Sequence, residues 1–571
     1  METTRCLCIF IVLLLHFFIS WSLTNISTDV DALLVLKTRI AHDPNTLVAN
    51  NWSTSASVCS WIGVTCGVRH YRVTALNISY LGLTWTIPPQ LGNLSFLALL
   101  SINNNNFYGS LPYELIRLHR LKYINFNHNQ LSGNVPSSIF NISSLQELSL
   151  KHNHLSSIVN VSSAGSNLMS LDLSKNVFEE KYHPLYQRGI PKEIGNLTKL
   201  MTLLIGYSKL QGEIPKELGN LVELEILILS NNVLLKGQIP SLLFNISSLS
   251  IIELTNNSMT GDLPHNICSH QHPSALKRVL LSENQLTGTI PYNLWRCREL
   301  TDISLSYNQF TGRIPRDIGN LTMLKHLAID GNNLVGEIPY EIDNLPNIEG
   351  LGLENNNLVG HIPATIFNIS TLKLLTCRDN TLSVSLPSII GFGVPNVEEL
   401  NFGNNNLFGT FPSFITNASK LQILEMGNNS FSGFIPSTLG NSLISHEWLG
   451  LSDNYFISST QDLTFLTSLK NCKNLRGWSL AGNPLNGFLP SSIGNLSISL
   501  KVLDMEECNI SGKIPQEIKG SIPNDLCHLN NLVDLYMDGN KLSRAIPACF
   551  GNLTSLRHLS LLNLLSNIQK H

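Results

Sequence analysis

The chain has 571 residues, a formal net charge of -3 at pH 7 and 13% charged residues. A balance this close to neutral excludes the strongly basic surface by which proteins attract nucleic acid or anionic membranes. Length alone suggests about three or four domains. However, no linker rich in Pro, Ser or charge divides the sequence, which indicates one continuous organisation.

The N-terminus has the pattern of a secretory signal peptide. Arg5 precedes an apolar run from Cys6 to Ile19, and Ser20 and Ser22 place small residues at the positions that signal peptidase inspects. A membrane-spanning helix needs about 20 apolar residues, and this run is shorter. We predict a signal peptide over residues 1–22. No later apolar stretch reaches that length, so the mature chain is expected to be secreted.

A repeat fills the rest of the sequence. The template L-x-x-L-x-L-x-x-N-x-L-x-G-x-I-P is seen at Leu121–Pro136 and again at Leu300–Pro315. About twenty copies follow one another, most of them 24 residues apart. The Asn position falls at residues 81, 105, 129, 153, 176, 208, 232, 257, 284, 308, 332, 356, 380, 405, 429, 454, 483, 508, 540 and 564, with Leu81, Ser208, Cys508 and Leu564 replacing Asn.

Each part of the template has a physical reason. L-x-L alternates with period two, which predicts a short strand with leucines inside and the x residues outside. One repeat cannot bury its leucines alone, so neighbours must stack into a common core. Asn can satisfy backbone groups at the turn, Gly permits a tight bend, and Pro fixes an extended segment. The predicted fold is an α/β repeat solenoid, a right-handed leucine-rich-repeat superhelix with a long parallel concave β-sheet.

Cysteines indicate a disulfide near the start of the mature chain. Cys59 and Cys66 lie close together and are predicted to pair. Removing the signal peptide leaves an odd number of cysteines, and the pairing of the others stays open. Cys377 falls on a core position and is predicted to be a buried thiol.

Asp31–Ile40, Asp43-Pro44, Asn51-Trp52 and Cys59–Cys66 resemble the N-terminal cap of plant leucine-rich-repeat proteins, which implies such a cap over residues 23–70. The L-x-G-x-I-P element resembles the plant-specific repeat. Ile139–Leu145 and Phe465–Leu475 resemble ectodomains of immune-type plant leucine-rich-repeat receptor kinases. This resemblance implies a receptor that binds a microbial or peptide elicitor and lies in the apoplast or at the cell surface through partners. It also implies recruitment of a shorter leucine-rich-repeat co-receptor kinase and signalling through an internal kinase.

The sequence departs from that family in two ways. Within residues 71–571 it shows repeats but no membrane span and no Gly-rich loop, His-Arg-Asp or Asp-Phe-Gly motif, so we expect no enzyme activity and a receptor truncated before the span and kinase. The repeat is also irregular near residues 177–189 and 515–523, where the Asn interval is 32. A deleted stretch or faulty gene model is favoured over a protruding loop at 515–523; at 177–189 the two are equal.

Residues beside the core strands are predicted to line the concave face and bind the ligand. Mixed charges with occasional aromatics favour a peptide or protein ligand. The alternative, that these are only solvated strand faces, holds for most single residues, with Tyr307 and Trp448 the strongest exceptions. The predicted ligand-binding residues are Lys277, Arg278, Asp302, Tyr307, Lys325, His326, Asp330, Glu354, Lys373, Arg378, Asp379, Glu398 and Trp448.

Asn-x-Ser/Thr sequons recur at one place in the repeat, as in Gly-Asn-Leu-Ser and Phe-Asn-Ile-Ser. Glycans there would coat an outer flank and leave the inner sheet open. The alternative is that the template merely contains this tripeptide. The predicted glycosylation sites are Asn51, Asn77, Asn93, Asn141, Asn196, Asn245, Asn320, Asn368, Asn417, Asn495 and Asn552, while Asn256 and Asn428 are disfavoured because they adjoin the strands.

Other apparent motifs lack the residues that chemistry requires. Cys268-Ser-His270-Gln-His272 has no second matched cluster for zinc, and His446-Glu447 lacks the second histidine of a zinc protease, so neither a metal nor another cofactor is predicted. We therefore predict an extracellular, receptor-like, ligand-binding protein in plant defence or development. The alternatives are an inhibitor of pathogen cell-wall hydrolases resembling polygalacturonase inhibitors, or a non-functional receptor fragment.

Overall fold

The computed structural model describes residues 26–158, 166–178, 189–269, 274–386, 394–442, 444–490, 492–493, 496–512, 526, 529–542, 550–551 and 553–561. The predicted signal peptide, residues 1–22, lies outside them. The chain divides into two compact units. Unit 1 comprises Met1–Leu276 and Glu283–Gln285, and unit 2 comprises Lys277–Ser282 and Leu286–His571. Each is a leucine-rich-repeat solenoid, as predicted.

Unit 1 contains a main sheet in which each repeat contributes one short strand. Its first strand pairs antiparallel with the second, and the following strands are parallel. The strands are β1 (Val64–Cys66), β2 (Val73–Asn77), β4 (Leu99–Ser101), β6 (Tyr123–Asn125), β8 (Glu147–Ser149), β10 (Ser170–Asp172), β11 (Thr202–Leu204), β13 (Ile226–Ile228) and β15 (Ile251–Glu253).

The main sheet of unit 2 is parallel throughout. Its strands are β17 (Arg278–Leu280), β19 (Asp302–Ser304), β21 (His326–Ala328), β23 (Gly350–Gly352), β25 (Leu374–Thr376), β27 (Glu399–Asn401), β29 (Ile423–Glu425), β31 (Trp448–Gly450), β33 (Gly477–Ser479), β34 (Val502–Asp504), β36 (Asp534–Tyr536) and β38 (His558–Ser560).

In the three-residue main-sheet strands from β4 to β36, the middle residue faces the core. Leu100, Ile124 and Leu148 are paired in register across β4, β6 and β8, and all three are fully buried. Because side chains alternate along a strand, the first and third residues point the other way. We call that side of each main sheet its open face.

The repeated asparagines form a ladder of side-chain hydrogen bonds between repeats. In unit 2, Nδ2 of Asn308 donates to the carbonyl oxygens of Leu281 and Leu305 at 3.0 and 3.1 Å. Its Oδ1 accepts from the backbone N–H of Leu286 at 3.0 Å. One side chain therefore satisfies backbone groups of its own repeat and of the preceding one, where water cannot reach them.

The residue before the ladder position has a left-handed backbone in most repeats. Its φ is 53° at His128, 58° at His152 and 54° at Tyr307. A non-glycine residue rarely adopts this conformation, and Asn, Asp and His tolerate it better than most. The consensus template does not mark this position, and the turn after each strand depends on it.

A second strand in many repeats forms small lateral sheets. These strands are β3 (Thr84–Thr86), β5 (Asn106–Gly109), β7 (Gln130–Val135), β9 (His154–Ile158), β12 (Gln211–Glu213), β14 (Asn232–Gly237), β16 (Asn257–Asp262), β18 (Gln285–Thr287), β20 (Thr311–Gly312), β22 (Asn333–Glu337), β24 (Asn357–Gly360), β26 (Thr381–Leu382), β28 (Phe408–Thr410), β30 (Ser430–Phe434), β32 (Tyr455–Ile457), β35 (Ser511–Gly512) and β37 (Lys541–Leu542). The template glycine lies here at positive φ, as at Gly312 (84°).

The helical part of the repeat is a 3-10 turn of five residues that follows the template proline. In Arg316–Asn320 the backbone N–H of Ile318 donates to the carbonyl of Pro315 at 3.2 Å, and Ile318 is fully buried. The corresponding turns are Pro89–Asn93, Tyr113–Arg117, Ser137–Asn141, Lys192–Asn196, Lys216–Asn220, Ser241–Asn245, Tyr292–Arg296, Tyr340–Asn344, Ala364–Asn368 and Ser413–Asn417; shorter ones are Val58–Ser60 and Leu469–Asn471.

Four α-helices complete the described elements: α1 (Ile26–Thr38), α2 (Leu47–Asn51), α3 (Leu439–Ser442) and α4 (Thr464–Ser468). The first two form the N-terminal cap with the predicted disulfide, whose Cys59 and Cys66 Cα atoms are 5.4 Å apart. Trp52 and Trp61 stack at 5.4 Å between ring centroids. Apolar packing and a covalent link therefore cover the start of the main sheet.

The two irregular repeats leave the main sheet continuous. Most of residues 177–189 and all of 515–523 lie outside the described residues. On either side of them, Ser170 pairs with Thr202 and Val502 pairs with Asp534. Each irregular segment therefore connects two strands that pair directly with each other in a main sheet.

The remaining described cysteines are of two kinds. Cys377, Cys472 and Cys508 are free thiols in the core, as predicted for Cys377. Cys268 and Cys297 are each disulfide-bonded, so Cys268 offers no thiolate for a metal. His270 and His272 lie outside the described residues.

Candidate functional site

All thirteen residues predicted to bind the ligand lie in unit 2, on or beside the open face of its main sheet. Arg278, Asp302 and His326 occupy the first position of successive strands and are paired in register. Lys325 and Lys373 immediately precede strands β21 and β25. The repeat thus converts residues 24 apart in sequence into neighbours on one surface.

Two glycines on β23 create a depression in this face. Gly350 and Gly352 occupy the first and third positions of the strand, where other repeats place side chains. The depression has a volume of about 600 Å³. Its rim includes five predicted residues, which are His326, Asp330, Glu354, Lys373 and Glu398.

The glycines are also needed for packing. A Cβ atom at Gly352 would lie 2.6 Å from the Asp330 carboxylate oxygens, and one at Gly350 would lie 3.3 Å from the His326 ring. These two side chains therefore lean over β23 from the preceding repeat. The absence of side chains on β23 sets both the floor of the depression and the positions of its neighbours.

One wall of the depression is an ion network centred on Glu349. Its carboxylate lies 2.6 Å from Nζ of Lys373 and 3.7 Å from Nζ of Lys325. Lys373 lowers the pKa of Glu349 by its hydrogen bond and charge, and Glu349 raises the pKa of Lys373. Lys373 is exposed and Glu349 is partly exposed, so we assign the network an orienting role rather than a stabilising one.

A second network begins at Asp302. The imidazole Nδ1 of His326 lies 2.8 Å from its carboxylate, and Nε of Arg278 lies 3.7 Å away. Burial acts to raise the pKa of Asp302, but hydrogen bonds from Thr301 and His326, with the charges of His326 and Arg278, lower it overall. Asp302 therefore holds the His326 ring at the edge of the depression.

The opposite wall is acidic and less well neutralised. Asp330 accepts from Ser306 Oγ at 2.9 Å and from the backbone N–H of Glu354 at 3.0 Å, yet burial raises its pKa. Burial and the charge of Asp330 raise the pKa of Glu354, although Arg378 partly offsets this. Burial also raises the pKa of Glu399. A positively charged group or a group with several N–H donors would stabilise the charged form of these carboxylates.

The other predicted residues lie on the face but outside the depression. Tyr307 is 54% exposed and its ring packs over Gly331, since a Cβ there would lie 2.6 Å from the ring. Trp448 is half-buried, lies against Gly477 and donates from Nε1 to Glu425 at 2.9 Å. Arg378 pairs with Asp379 at 3.1 Å. Lys277 is exposed beside β17.

Sequence reasoning missed several members of the site. Glu349 and Glu399 line the depression, and Gly350 and Gly352 form it. Glu349 could have been found, because it holds the same repeat position as Lys325 and Lys373. The depression could have been predicted only from the two glycines at the outward positions of one strand, where other repeats have larger residues.

A larger depression, of about 1410 Å³, lies elsewhere. It covers lateral strands β12 and β14 of unit 1, and no predicted ligand-binding residue lines it. His446, noted beside Glu447, is buried and its Nδ1 lies 2.7 Å from the Leu421 carbonyl, while burial lowers its pKa to about 4. This histidine is a core residue.

Many predicted glycosylation sites share one location. Exposed sequon asparagines form the last residue of a 3-10 turn at Asn93, Asn141, Asn196, Asn245, Asn320, Asn368 and Asn417. Asn77 instead ends β2 on the open face of unit 1. Asn51 accepts from the backbone N–H of Ile62 at 2.6 Å. Asn495 and Asn552 lie outside the described residues.

Within the described part of the chain, no helix is long and apolar enough to cross a membrane. Those same residues contain no group of three or more His, Cys, Asp or Glu side chains arranged to hold a metal ion.

Two family models match the chain. The leucine-rich-repeat N-terminal domain matches residues 26–67. The leucine-rich repeat matches residues 120–142, 299–321, 396–418, 420–442, 499–529 and 531–553. The cap and the repeats are thus both identified by sequence.

Relatives by sequence are plant receptor kinases. The chain is 44% identical over 85 residues to the leucine-rich-repeat receptor-like serine/threonine-protein kinase EFR of Arabidopsis thaliana, which is 15% of this chain and 8% of that protein. It is 37% identical over 86 residues to the Arabidopsis thaliana receptor-like kinase GSO2, which is 15% of this chain and 7% of that protein. The matches thus span less than a tenth of either relative.

The structure matches solved receptor ectodomains over most of its length. The plant peptide hormone receptor RGFR1, in complex with RGF2, is 29% identical with a TM-score of 0.76, covering 88% of this chain and 83% of that one. The Arabidopsis receptor kinase HAESA, in complex with the peptide hormone IDA and the co-receptor SERK1, is 29% identical with a TM-score of 0.75, covering 93% and 89%.

Proposed function

We propose that this leucine-rich-repeat chain, with the cap and repeats found in plant receptor kinases, is an extracellular receptor-like protein that binds a peptide or protein ligand. The open face of unit 2 is the binding surface, and plant defence or development is the setting. The depression over Gly350 and Gly352 carries the proposal, because it places charged groups of both signs around a recess in a broad, exposed sheet.

The chemistry of the recess suits a peptide. Asp330, Glu354 and Glu399 offer carboxylates whose pKa burial raises, and carboxylates accept hydrogen bonds from backbone N–H groups or a basic side chain. Lys373 on the opposite wall can pair with a ligand carboxylate. An extended peptide presents both kinds of group at close spacing.

The solved relatives support the same role. RGFR1 and HAESA are described in complex with peptide ligands, and HAESA also with the co-receptor SERK1. We therefore also propose a shorter leucine-rich-repeat co-receptor kinase as a second partner. The proposed ligand contacts are the predicted residues together with Glu349 and Glu399.

A glycan placed in the recess tests the proposal. Leu374 lines the depression and is followed by Leu375 and Thr376, so Leu374→Asn creates a glycosylation sequon there. The secreted chain and this variant are screened against immobilised synthetic plant and microbial peptides. We expect at least one peptide to bind the unmodified chain. Its affinity for the Leu374→Asn variant should be at least about tenfold lower, because the loss of about 1.4 kcal/mol of binding energy weakens affinity tenfold.

Leu99→Asn is the matched control. Leu99 is the first residue of β4 on the open face of unit 1, and Leu100 and Ser101 complete a sequon in the same register. Mass spectrometry of the glycopeptides verifies that both variants carry the glycan. Equal loss of affinity in both variants, or none in Leu374→Asn, would contradict a binding site at the depression.

A further inference from the structure

A histidine pair lies on unit 1, far along the sequence from the proposed peptide site. His128 and His152 hold the left-handed position of adjacent repeats, and their Nδ1 atoms are 2.6 Å apart. The rings meet edge to face at 82°, and both side chains are exposed. The backbone N–H groups of both residues donate to the next repeat at 2.8 Å, to Lys151 and Ser174. These backbone hydrogen bonds between repeats fix the backbone positions of both histidines.

The surroundings of the pair are basic. Lys151 precedes His152 in sequence, and Lys175 holds the left-handed position of the following repeat. Lys175 is exposed and lies 5.9 Å from the Tyr207 ring centroid. We call His128, Lys151, His152 and Lys175 the basic row. It crosses three successive repeats, which are about 4.8 Å apart where their strands pair.

Acidic groups on the same strands do not neutralise the basic row. Glu147 begins β8 and Asp172 ends β10, and Asp172 accepts from the backbone N–H of Ser174 at 3.0 Å. No ion pair joins either carboxylate to the row within the described residues. Burial and the positive charges of His152, Lys151 and Lys175 lower the pKa of His128.

The short contact allows one shared proton. With Nδ1 facing Nδ1, one imidazole donates its N–H and the other accepts. When both imidazoles are protonated, two N–H groups and two positive charges face each other, so the rings must separate. An anion between the rings would accept from both and remove the repulsion. Proton uptake and anion binding are then coupled.

We propose that the basic row binds an acidic peptide segment, whose carboxylates replace the hydrogen bond between the two rings and favour protonation of both imidazoles. An extended peptide rises about 3.4 Å per residue. Carboxylates three residues apart therefore span about two repeats, the separation between His128 and Lys175. The inference does not depend on the proposed peptide site of unit 2.

Binding of a simple acidic peptide tests this. The probe is N-acetylated, C-amidated tetraglutamate, with tetraglutamine as the uncharged counterpart, titrated calorimetrically into the whole secreted chain at about pH 5 and about pH 7.5. One proton taken up on binding tightens affinity by up to about tenfold for each pH unit. We expect binding at least about tenfold tighter at the lower pH, net proton uptake in buffers of different ionisation enthalpy, and loss of affinity with salt.

Variants separate the histidine pair from general charge attraction. Asn holds the same left-handed position at Asn104 and Asn231, so His128→Asn and His152→Asn should fold. Both histidine variants should abolish the excess proton uptake. Lys175→Gln should weaken binding at both pH values but should leave the proton uptake unchanged. His154→Gln, an exposed histidine on β9 of the same repeat, is the control and should change neither.

Three results would overturn the inference. They are equal affinity at the two pH values, unchanged proton uptake in His128→Asn, or binding of an acidic oligosaccharide such as tetragalacturonate with this pH dependence while tetraglutamate does not bind. Each leaves the proposed site on unit 2 untouched, because Leu374→Asn tests that site separately.

Discussion

Asp29 of the first helix and Arg72 at the start of the main sheet form a buried ion pair, with Oδ1 of Asp29 2.7 Å from Nη2 of Arg72. Oδ2 of Asp29 also accepts from Nε of Arg72 at 2.8 Å and from the backbone N–H of Val73 at 3.0 Å. One carboxylate thus joins α1 to β2 and orients the cap over the first repeat.

Removing that carboxylate should loosen the cap. Asp29→Ala leaves Arg72 charged and buried without its partner, and such losses cost about 3–5 kcal/mol. Denaturant unfolding of the unmodified chain and of the variant measures the effect. Asp31→Ala, an exposed neighbour on the same helix, is the control. Similar midpoints for the two variants would mean that the pair does not hold the cap.

Substitutions of a ladder asparagine should lower stability by different amounts. Asn308→Ala leaves the Leu286 N–H and the carbonyls of Leu281 and Leu305 without this partner, at about 1–3 kcal/mol for each buried unsatisfied group. Asn308→Ser should be milder, because the hydroxyl of Ser208 bonds Leu173 and Gly206 carbonyls at its own ladder position.

Chemical unfolding of the secreted chain ranks these variants, with the exposed neighbour change Gln309→Ala as reference. The predicted order of stability is Gln309→Ala, then Asn308→Ser, then Asn308→Ala. A serine variant as unstable as the alanine variant would argue against a hydrogen-bonding role for the ladder side chain.

Asp330 gives the depression a pH-dependent stability. Burial raises its pKa in the folded state, so the folded chain binds this proton more tightly than the unfolded chain does. The contribution of Asp330 to stability therefore falls as the pH rises from its pKa in the unfolded chain towards its pKa in the folded chain. Above the folded-state pKa the contribution stays low. Asp330→Asn removes this charge, so the variant should gain stability relative to the unmodified chain as pH rises from about 4 to neutrality.

Unfolding free energies measured across that pH range check the prediction, with the exposed Asp343→Asn change on a 3-10 turn as control. A stability difference that does not vary with pH, or that shrinks as pH rises, would contradict it.

The free thiols in the core should be unreactive until the chain unfolds. Burial raises the pKa of Cys472 to about 11 and of Cys508 to about 12, and it also raises the pKa of Cys377. Since the thiolate is the nucleophile, iodoacetamide at neutral pH should spare all three. Peptide-resolved mass spectrometry, before and after addition of denaturant, measures labelling at each position. Labelling of Cys377 in the folded chain would show that its repeat opens.

Sequence alone predicted the cap disulfide, the buried Cys377 and the strand in each repeat. These features follow from local order, because leucines with period two need a strand and one repeat can bury them only against another copy. The ladder role of Asn308 follows equally, since its side chain bonds backbone groups in fixed positions. The sequence also indicated which residues flank the strands.

The tertiary structure decided what those flanking residues do. Gly350 and Gly352 form a depression only because repeats stack in register, so that His326 and Asp330 lean over them from the repeat before. His128 and His152 are 24 residues apart and meet only through that stacking. Side-chain conformations and contacts between repeats set these distances, and the pattern within one repeat does not predict them. A repeat therefore fixes its own fold locally, while its surface chemistry is a property of neighbours.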